Sequence, residues 1–147
     1  MKQLVVNARI TPDGTRIQSN YRHDYVTHVD KNGMTYMVDG GLEYARYNIN
    51  DIPDTPAYLY VDDNFSEIRK YHCRGSRGKD GKQPLKWITL AKMSLNHLKA
   101  CIAYNKERGV DNFTNDLYNK EILFRYKEAK EKDLENAARR IIYREEE

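Results

Sequence analysis

Residues 25–38 read YVTHVDKNGMTYMV, and this stretch decides the fold because it predicts a β-hairpin. β-branched and aromatic residues dominate the first arm, 25–29, and continue in the second arm, 34–38. Asn32-Gly33 between the arms is the dipeptide that tight two-residue hairpin turns prefer. We therefore expect two antiparallel strands joined at this turn.

The residues before this hairpin predict a second one. Residues 3–10 are rich in β-branched side chains and run into Pro12-Asp13-Gly14, which is a typical turn sequence. Residues 15–19 then supply the return strand. The N-terminal part of the chain is therefore expected to form an antiparallel sheet of short hairpin strands.

Short elements follow the central hairpin. Helical composition after two glycines predicts a short helix over 42–47, and the Asp, Asn and Pro residues of 48–56 predict a loop. Aromatic and β-branched residues predict strands at 57–61 and 85–90. A run of capping residues predicts a short helix over 65–71.

Two C-terminal α-helices end the chain. Ser94 is a suitable N-cap for a helix that Gly109 ends, and apolar residues recur every three to five positions over 114–145. Strands followed by helices are the order of an α+β protein. We expect a single domain, mainly β with short helices over 1–92 and helical over 93–147.

The last helix is long and amphipathic. If it is unbroken, it extends for about 48 Å at 1.5 Å per residue, which exceeds the core of a domain of this size. A projecting amphipathic helix either buries its apolar stripe against a second copy of the chain or ends in a frayed tail, and we favour the first. We therefore expect a homo-oligomer, either a dimer or a larger assembly.

Composition favours a cytoplasmic protein. No stretch approaches the roughly 18 apolar residues of a membrane helix, and the N-terminus lacks the apolar segment of a signal peptide. The two cysteines, Cys73 and Cys101, do not have the spacing of metal ligands. We therefore expect reduced thiols, no metal, no cofactor and no membrane partner.

Positive charge is concentrated in the middle of the chain. Residues 64–110 hold 11 cationic and 3 acidic residues, whereas the flanking segments are net acidic. Residues 74–86 read RGSRGKDGKQPLK and contain five of these cations together with three glycines. Glycines let backbone N–H groups approach a compact anion, so this stretch predicts phosphate binding. The alternative is a solvated hairpin loop.

A second polar cluster lies at the start of the central hairpin and contains Arg22, His23, Asp24, His28 and Asp30. Adjacent His and Asp residues occur in metal phosphohydrolases, so one hypothesis is a metal-dependent phosphodiesterase or nuclease that uses His23, Asp24 and His28. The alternating neighbours predict a strand, whereas such motifs need a helical setting. The other two interpretations are a cluster that contacts a ligand and a structural hydrogen-bonded cluster.

Several motifs resemble those of one family of small phage and prophage proteins. They follow the family's order over about the first two-thirds of the chain: TPDGT at 11–15, RHDY at 22–25, His28, DxNG at 30–33, YMVDGG at 36–41 and GKDGKQPLK at 78–86. With these motifs the chain resembles the phage anti-Thoeris sponges.

The resemblance implies a function. Anti-Thoeris sponges are non-enzymatic proteins that bind cyclic ADP-ribose isomers made by bacterial TIR-domain defence enzymes, and some also bind cyclic oligonucleotides. The implied fold is an N-terminal antiparallel sheet with two C-terminal helices, assembled into dimers or rings, in the cytoplasm of the infected bacterial host. This chain has Cys73-Arg74 where the family usually has an aromatic residue before the first loop glycine. For that reason ligand contacts are not transferred from the family.

A cyclic ADP-ribose isomer carries a pyrophosphate and an adenine, which need cations and a flat aromatic ring respectively. The candidate ligand-binding residues are Arg22, His23, His28, Tyr71, Arg74, Arg77, Lys79, Lys82 and Trp87. Phe113 is a further aromatic candidate for the adenine. A nucleic-acid-binding phage accessory protein is the third hypothesis for function, although the alternating charges of the C-terminal segment do not favour nucleic acid.

Overall fold

The computed structural model describes residues 2–110 and 112–146. The chain forms two compact units, Met1–Lys92 and Met93–Glu147. The first unit contains antiparallel sheets and the second consists of helices. The predicted α+β class, with strands first and a long helix last, is confirmed.

The described residues include nine strands and three α-helices. The strands are β1 (Leu4–Ile10), β2 (Arg16–Ser19), β3 (Val26–Val29), β4 (Thr35–Asp39), β5 (Arg46–Tyr47), β6 (Thr55–Pro56), β7 (Leu59–Tyr60), β8 (Cys73–Ser76) and β9 (Lys86–Thr89). The helices are α1 (Phe65–Tyr71), α2 (Leu95–Glu107) and α3 (Phe113–Glu146), with a 3-10 turn at Leu90–Lys92.

The strands form three antiparallel sheets. In the first, β1 pairs with β2 on one side and with β6 and β7 on the other. The second has the order β3-β4-β5, and its first two strands are the hairpin predicted at residues 25–38. The third is the hairpin of β8 and β9, which carries the basic stretch at its tip.

The prediction of a helix over residues 42–47 is wrong. The chain turns through Glu43 and then enters β5, which pairs with β4. Gly40 and Gly41 have positive φ angles of 104° and 55°, and this conformation reverses the chain. Pairing with β4 and an Arg46–Asp39 ion pair at 2.8 Å outweigh the local helical composition. Part of the predicted loop, Thr55–Pro56, is also paired with β1.

The side chains of β1 and β2 alternate between two faces of their sheet. Arg9 lies opposite Ile17 in register and Ile10 lies opposite Arg16, so Arg9 and Arg16 project from opposite faces. On the face of Arg9, Ile17 joins a buried cluster with Tyr36 and Val38 of the second sheet. Arg9 of β1 therefore lies on one face of the sheet and Arg16 of β2 lies on the other.

The second unit is a helical hairpin. The Ser94 side chain caps α2 by accepting from the His97 backbone N–H at 3.1 Å, as its N-cap assignment predicted. Leu98 and Leu117 are fully buried, whereas the described side chains of α3 from Lys127 onward are exposed. Among the described residues, none of the helices combines the length and the apolar character that crossing a bilayer requires.

Candidate functional site

Two aromatic rings are stacked on the surface of the first unit. The ring centroids of Tyr21 and Trp87 are 5.7 Å apart and their planes differ by 9°. Tyr21 is 49% exposed and Trp87 is 36% exposed, so the pair keeps a large part of its surface in contact with solvent. An exposed pair of parallel rings is suited to stacking against a planar base.

Buried polar contacts position Tyr21. The Ser19 hydroxyl accepts from the Gly41 backbone N–H at 2.9 Å and donates to the Asp24 carbonyl at 2.7 Å. Gly41 lies directly against the Tyr21 backbone, because a Cβ at this position would be 2.4 Å from the Tyr21 carbonyl carbon. Asn7, which is fully buried, donates to the Gly41 carbonyl at 2.9 Å. This network fixes the residue 39–44 turn and with it the segment that carries Tyr21.

The hairpin of β8 and β9 positions Trp87. Gly75 lies opposite Trp87 in register, and a Cβ on Gly75 would be 3.1 Å from Leu85 and 3.4 Å from the indole ring. Glycine at this position therefore lets the two side chains lie against the backbone of β8. The indole lies near the tip of the hairpin, one residue pair from the loop of residues 77–85, which we call the basic loop.

The basic loop itself is solvated. Arg77, Lys79 and Lys82 are exposed, and Arg74 is half-buried on β8. The backbone N–H groups of Gly78 and Gly81 donate within the loop, to the Ser76 hydroxyl and the Gly78 carbonyl. These N–H groups are used by the turn, so anion attraction by the loop depends on its side chains.

A row of side chains along β2 forms a surface that we call the β2 ledge, which consists of Arg16, Gln18, Asn20, Tyr71 and Cys73. The Arg16 Cζ lies 3.8 Å from the centre of the Tyr71 ring. Gln18 Nε2 donates to the Tyr71 carbonyl at 2.7 Å and lies 4.0 Å from Cys73 Sγ. Burial raises the pKa of the Cys73 thiol, which disfavours the nucleophilic thiolate. Asn20, at the end of the ledge, directly precedes Tyr21 of the aromatic pair in the chain.

The predicted residues Arg22 and His23 follow Tyr21 directly and are exposed. Arg22 Nε lies 3.2 Å from Glu43 Oε2, and both side chains are more than half exposed. An ion pair this exposed contributes little to stability, so Arg22 can exchange Glu43 for another anion at low cost.

The structure places His28 away from Arg22 and His23. His28 Nε2 donates to Asp13 Oδ2 at 2.8 Å, in the turn that precedes β2, whereas Arg22 follows the other end of that strand. Hydrogen bonds from Thr11 and then from His28 hold the pKa of the Asp13 carboxyl well below its usual range. His28 therefore links β3 to the first hairpin.

The residues of the metal-dependent hypothesis do not form a ligand group. Within residues 2–110 and 112–146, no three His, Cys, Asp or Glu side chains are close enough together to hold a metal ion. Asp24 Oδ2 accepts from the Asn20 backbone N–H at 2.8 Å, and His28 is bound to Asp13. Both residues have structural partners in this arrangement.

The structure thus joins two predicted groups through a residue that the sequence analysis missed. Tyr21 connects the Arg22–His23 segment to Trp87 and the basic hairpin. Tyr71 also lies on this side, but its ring is covered by Arg16, which was not a predicted site residue. The alternation of β2 could have placed Arg16 on an outward face, whereas the contact with Tyr71 depends on a sequence separation of 55 residues.

Comparison of the chain with protein-family models, with curated proteins and with solved structures gave no match.

Proposed function

We propose that this protein is a phage anti-defence protein that binds a cyclic nucleotide signal and sequesters it without cleaving it. The observation that carries this proposal is the exposed Tyr21–Trp87 pair, in which Trp87 lies one residue pair from a cation-rich loop. A base and a phosphate are the two chemical groups that such a combination recognises. The resemblance to anti-Thoeris sponges supports the choice of cyclic ADP-ribose isomers, with cyclic oligonucleotides as further ligands.

The aromatic pair supplies the base contact in this proposal. Base–aromatic stacking contributes about 1–3 kcal/mol per base and tolerates different bases. The two rings are aligned within 9°, so the pair presents a flat aromatic surface to a base. We expect adenine to stack on the exposed surface of this pair.

The hairpin and Arg22 supply positive charge around the pair. Arg77, Lys79 and Lys82 are exposed in the loop that joins β8 to β9, and Arg22 directly follows Tyr21 in the chain. Exposed lysines attract an anion over about 8–10 Å at physiological salt but fix its orientation weakly. Their role in the proposal is to raise the local concentration of the ligand and to support its phosphate groups.

The test is mass spectrometry of the small molecules that the protein retains. Purified protein is incubated with an extract that contains an activated TIR-domain enzyme, washed, and denatured to release its ligand. We expect a cyclic ADP-ribose isomer to be recovered intact and in stoichiometric amount from the wild type, and in much smaller amount from a Trp87→Ala variant. Recovery of a hydrolysed product would show an enzyme instead, and salt-sensitive retention of RNA or DNA alone would show a nucleic-acid-binding protein.

We also propose that the chain self-associates through α3. Leu134 is 70% exposed and Ile141 is 60% exposed, one heptad apart on the same face of the helix. A second copy of the same stripe would cover both side chains. Sedimentation of the wild type should give at least a dimer, and a Leu134→Glu/Ile141→Glu variant should sediment as a smaller species. A monomeric wild type at micromolar concentration would exclude this assembly.

A further inference from the structure

The β2 ledge contains an arginine to which the proposed function assigns no role. Arg16 is half-buried, and within the described residues 2–110 and 112–146 no Asp or Glu oxygen lies within 4.0 Å of its guanidinium nitrogens. Its contacts are the Tyr71 ring and the Gln18 side chain. Charged groups that are partly removed from water are normally paired with an opposite charge. Arg16 has no such counter-ion in the protein.

The Gln18 side chain fixes the orientation of this guanidinium. Gln18 Oε1 accepts from Arg16 Nε at 3.3 Å and from Nη2 at 3.0 Å. Gln18 is itself held, because its Nε2 donates to the Tyr71 carbonyl at 2.7 Å and to Asn20 Oδ1 at 2.9 Å. Gln18 therefore binds one edge of the guanidinium, and the Tyr71 ring stacks on one of its faces.

The rest of the Arg16 guanidinium is open for a ligand. An arginine has five N–H donors in a planar fork, and the Gln18 contacts use only the Nε edge. Within the part of the chain that the structure describes, the N–H groups of Nη1 have no acceptor. A planar donor that is oriented in advance is the arrangement that binds phosphate oxygens well.

We propose that Arg16 binds a phosphate group of the captured nucleotide, at the end of the β2 ledge opposite the Tyr21–Trp87 pair. This assignment rests on the proposed function, because it takes the base to lie on the aromatic pair. Arg16 and Asn20 are four residues apart along an extended strand, which is about 13 Å between their Cα atoms. A separation of this order exceeds a single inorganic anion and suits a nucleotide that extends from its base to a phosphate.

Arg16 differs from the hairpin cations in how its charge is held. Burial lowers the pKa of Arg16, although an arginine stays protonated at neutral pH. An anion that replaces this lost solvation gains more from a half-buried guanidinium than from an exposed lysine. We therefore assign the oriented phosphate contact to Arg16, and to the loop cations the general electrostatic attraction of the ligand.

Isothermal titration calorimetry tests the assignment. The proteins are the wild type, Arg16→Gln, Arg16→Lys and Lys31→Gln, in which the last removes one positive charge from the exposed 30–33 turn of the same unit. The titrants are cyclic ADP-ribose and inorganic pyrophosphate at 0.15 M ionic strength, a condition that screens remote charges. Circular dichroism and thermal unfolding establish that each variant is folded.

We expect Arg16→Gln to bind cyclic ADP-ribose about 10- to 100-fold more weakly than the wild type, the range for loss of a charge-assisted hydrogen bond. Arg16→Lys should lie between them, because lysine keeps the charge and loses the planar fork. Lys31→Gln should bind as the wild type does. If Arg16→Gln does not fold, the Arg16→Lys variant decides the question.

The outcomes separate the inference from the proposed function. Wild-type affinity in both Arg16 variants overturns the role of Arg16 and leaves the proposed function standing. Binding of pyrophosphate that depends on Arg16, without binding of cyclic ADP-ribose, supports the anion site and counts against the proposed function. Absence of binding for both titrants overturns the two together.

Discussion

Arg9 and Arg16 lie on neighbouring strands of one sheet, and each is stacked on a tyrosine ring at the same distance of 3.8 Å. Arg9 is enclosed: its Nε lies 2.9 Å from Asp54 Oδ2 and its Nη1 donates to the Tyr58 hydroxyl at 2.6 Å. Arg16 projects from the opposite face and has an amide as its only polar partner among the described residues.

The difference separates a structural arginine from a candidate binding arginine. Burial opposes the charge of Arg9, but the hydrogen bond that Arg9 donates to Tyr58 and the negative charge of Asp54 outweigh it and raise the pKa of Arg9. The Arg9 Nε–Asp54 Oδ2 contact is a charge contact, because the two atoms do not align as a hydrogen bond. For Arg16, burial lowers the pKa and no carboxylate offsets it. A charge that the protein itself compensates holds the fold, whereas an uncompensated one is available to a ligand.

The largest effect is expected from Arg9→Gln. This change leaves the Asp54 carboxylate, whose side chain is 3% exposed, without its charged partner. Removing one member of a buried ion pair costs about 3–5 kcal/mol. Urea denaturation should show this loss, and an Arg9→Gln/Asp54→Asn double variant should recover part of it. Equal stability of Arg9→Gln and the wild type would remove the distinction between the two arginines.

Gly41→Ala should be the next most destabilising change, because Gly41 packs against the backbone of Tyr21. Gly41 has φ +55°, and an added Cβ would be 2.4 Å from the Tyr21 carbonyl carbon. We expect a loss of about 1–3 kcal/mol and an altered Trp87 emission as Tyr21 moves. Gly33→Ala is the matched control, because its φ is +81° but nothing lies within 4 Å of the added atom. The same emission change in both variants would contradict this account of how Tyr21 is positioned.

His72 gives a smaller, pH-dependent effect on the same unit. Burial lowers the pKa of His72 below its ordinary value of 6.5, and its Nδ1 donates to the Val5 carbonyl at 2.7 Å. The unfolded chain therefore binds the proton more readily, so the stability that His72 contributes is present above pH 6.5 and decreases as the pH falls. Denaturation at pH 7.5 and pH 5.0 should show a steeper loss for the wild type than for His72→Gln. Parallel losses would mean that His72 does not titrate on unfolding.

Arg16→Gln should have the smallest effect on stability of these four changes. It removes a cation–π contact and the Gln18 hydrogen bonds, which together contribute about 1 kcal/mol at a partly exposed position. No buried carboxylate is left behind. The same urea denaturation should show a smaller loss of unfolding free energy for Arg16→Gln than for Arg9→Gln, as expected if only Arg9 is structural. A loss as large as that of Arg9→Gln would mark Arg16 as a structural residue.

Local sequence signals predicted the elements but not the contacts that build the site. The Asn32-Gly33 hairpin signal and the Ser94 cap act over a few residues, and the structure confirms the hairpin and the cap, although residues 31–33 form a three-residue loop and not a two-residue turn. The 42–47 segment was mispredicted as a helix because pairing with β4 outweighs local propensity. The Tyr21–Trp87 stack joins residues 66 positions apart, so no local pattern contains it. The charge pattern of the sequence predicted the cations of residues 74–86 as phosphate ligands, whereas the oriented guanidinium is that of Arg16 on β2.

The most direct test of the proposed binding site is the fluorescence of Trp87, the only tryptophan in the chain. Its emission reports on the aromatic pair without any label. Titration of the wild type with a cyclic ADP-ribose isomer should give a saturable change in Trp87 emission at one ligand per site, and a Tyr21→Ala variant should bind more weakly. Ligand binding by calorimetry with unchanged Trp87 emission would place the ligand elsewhere and contradict the account.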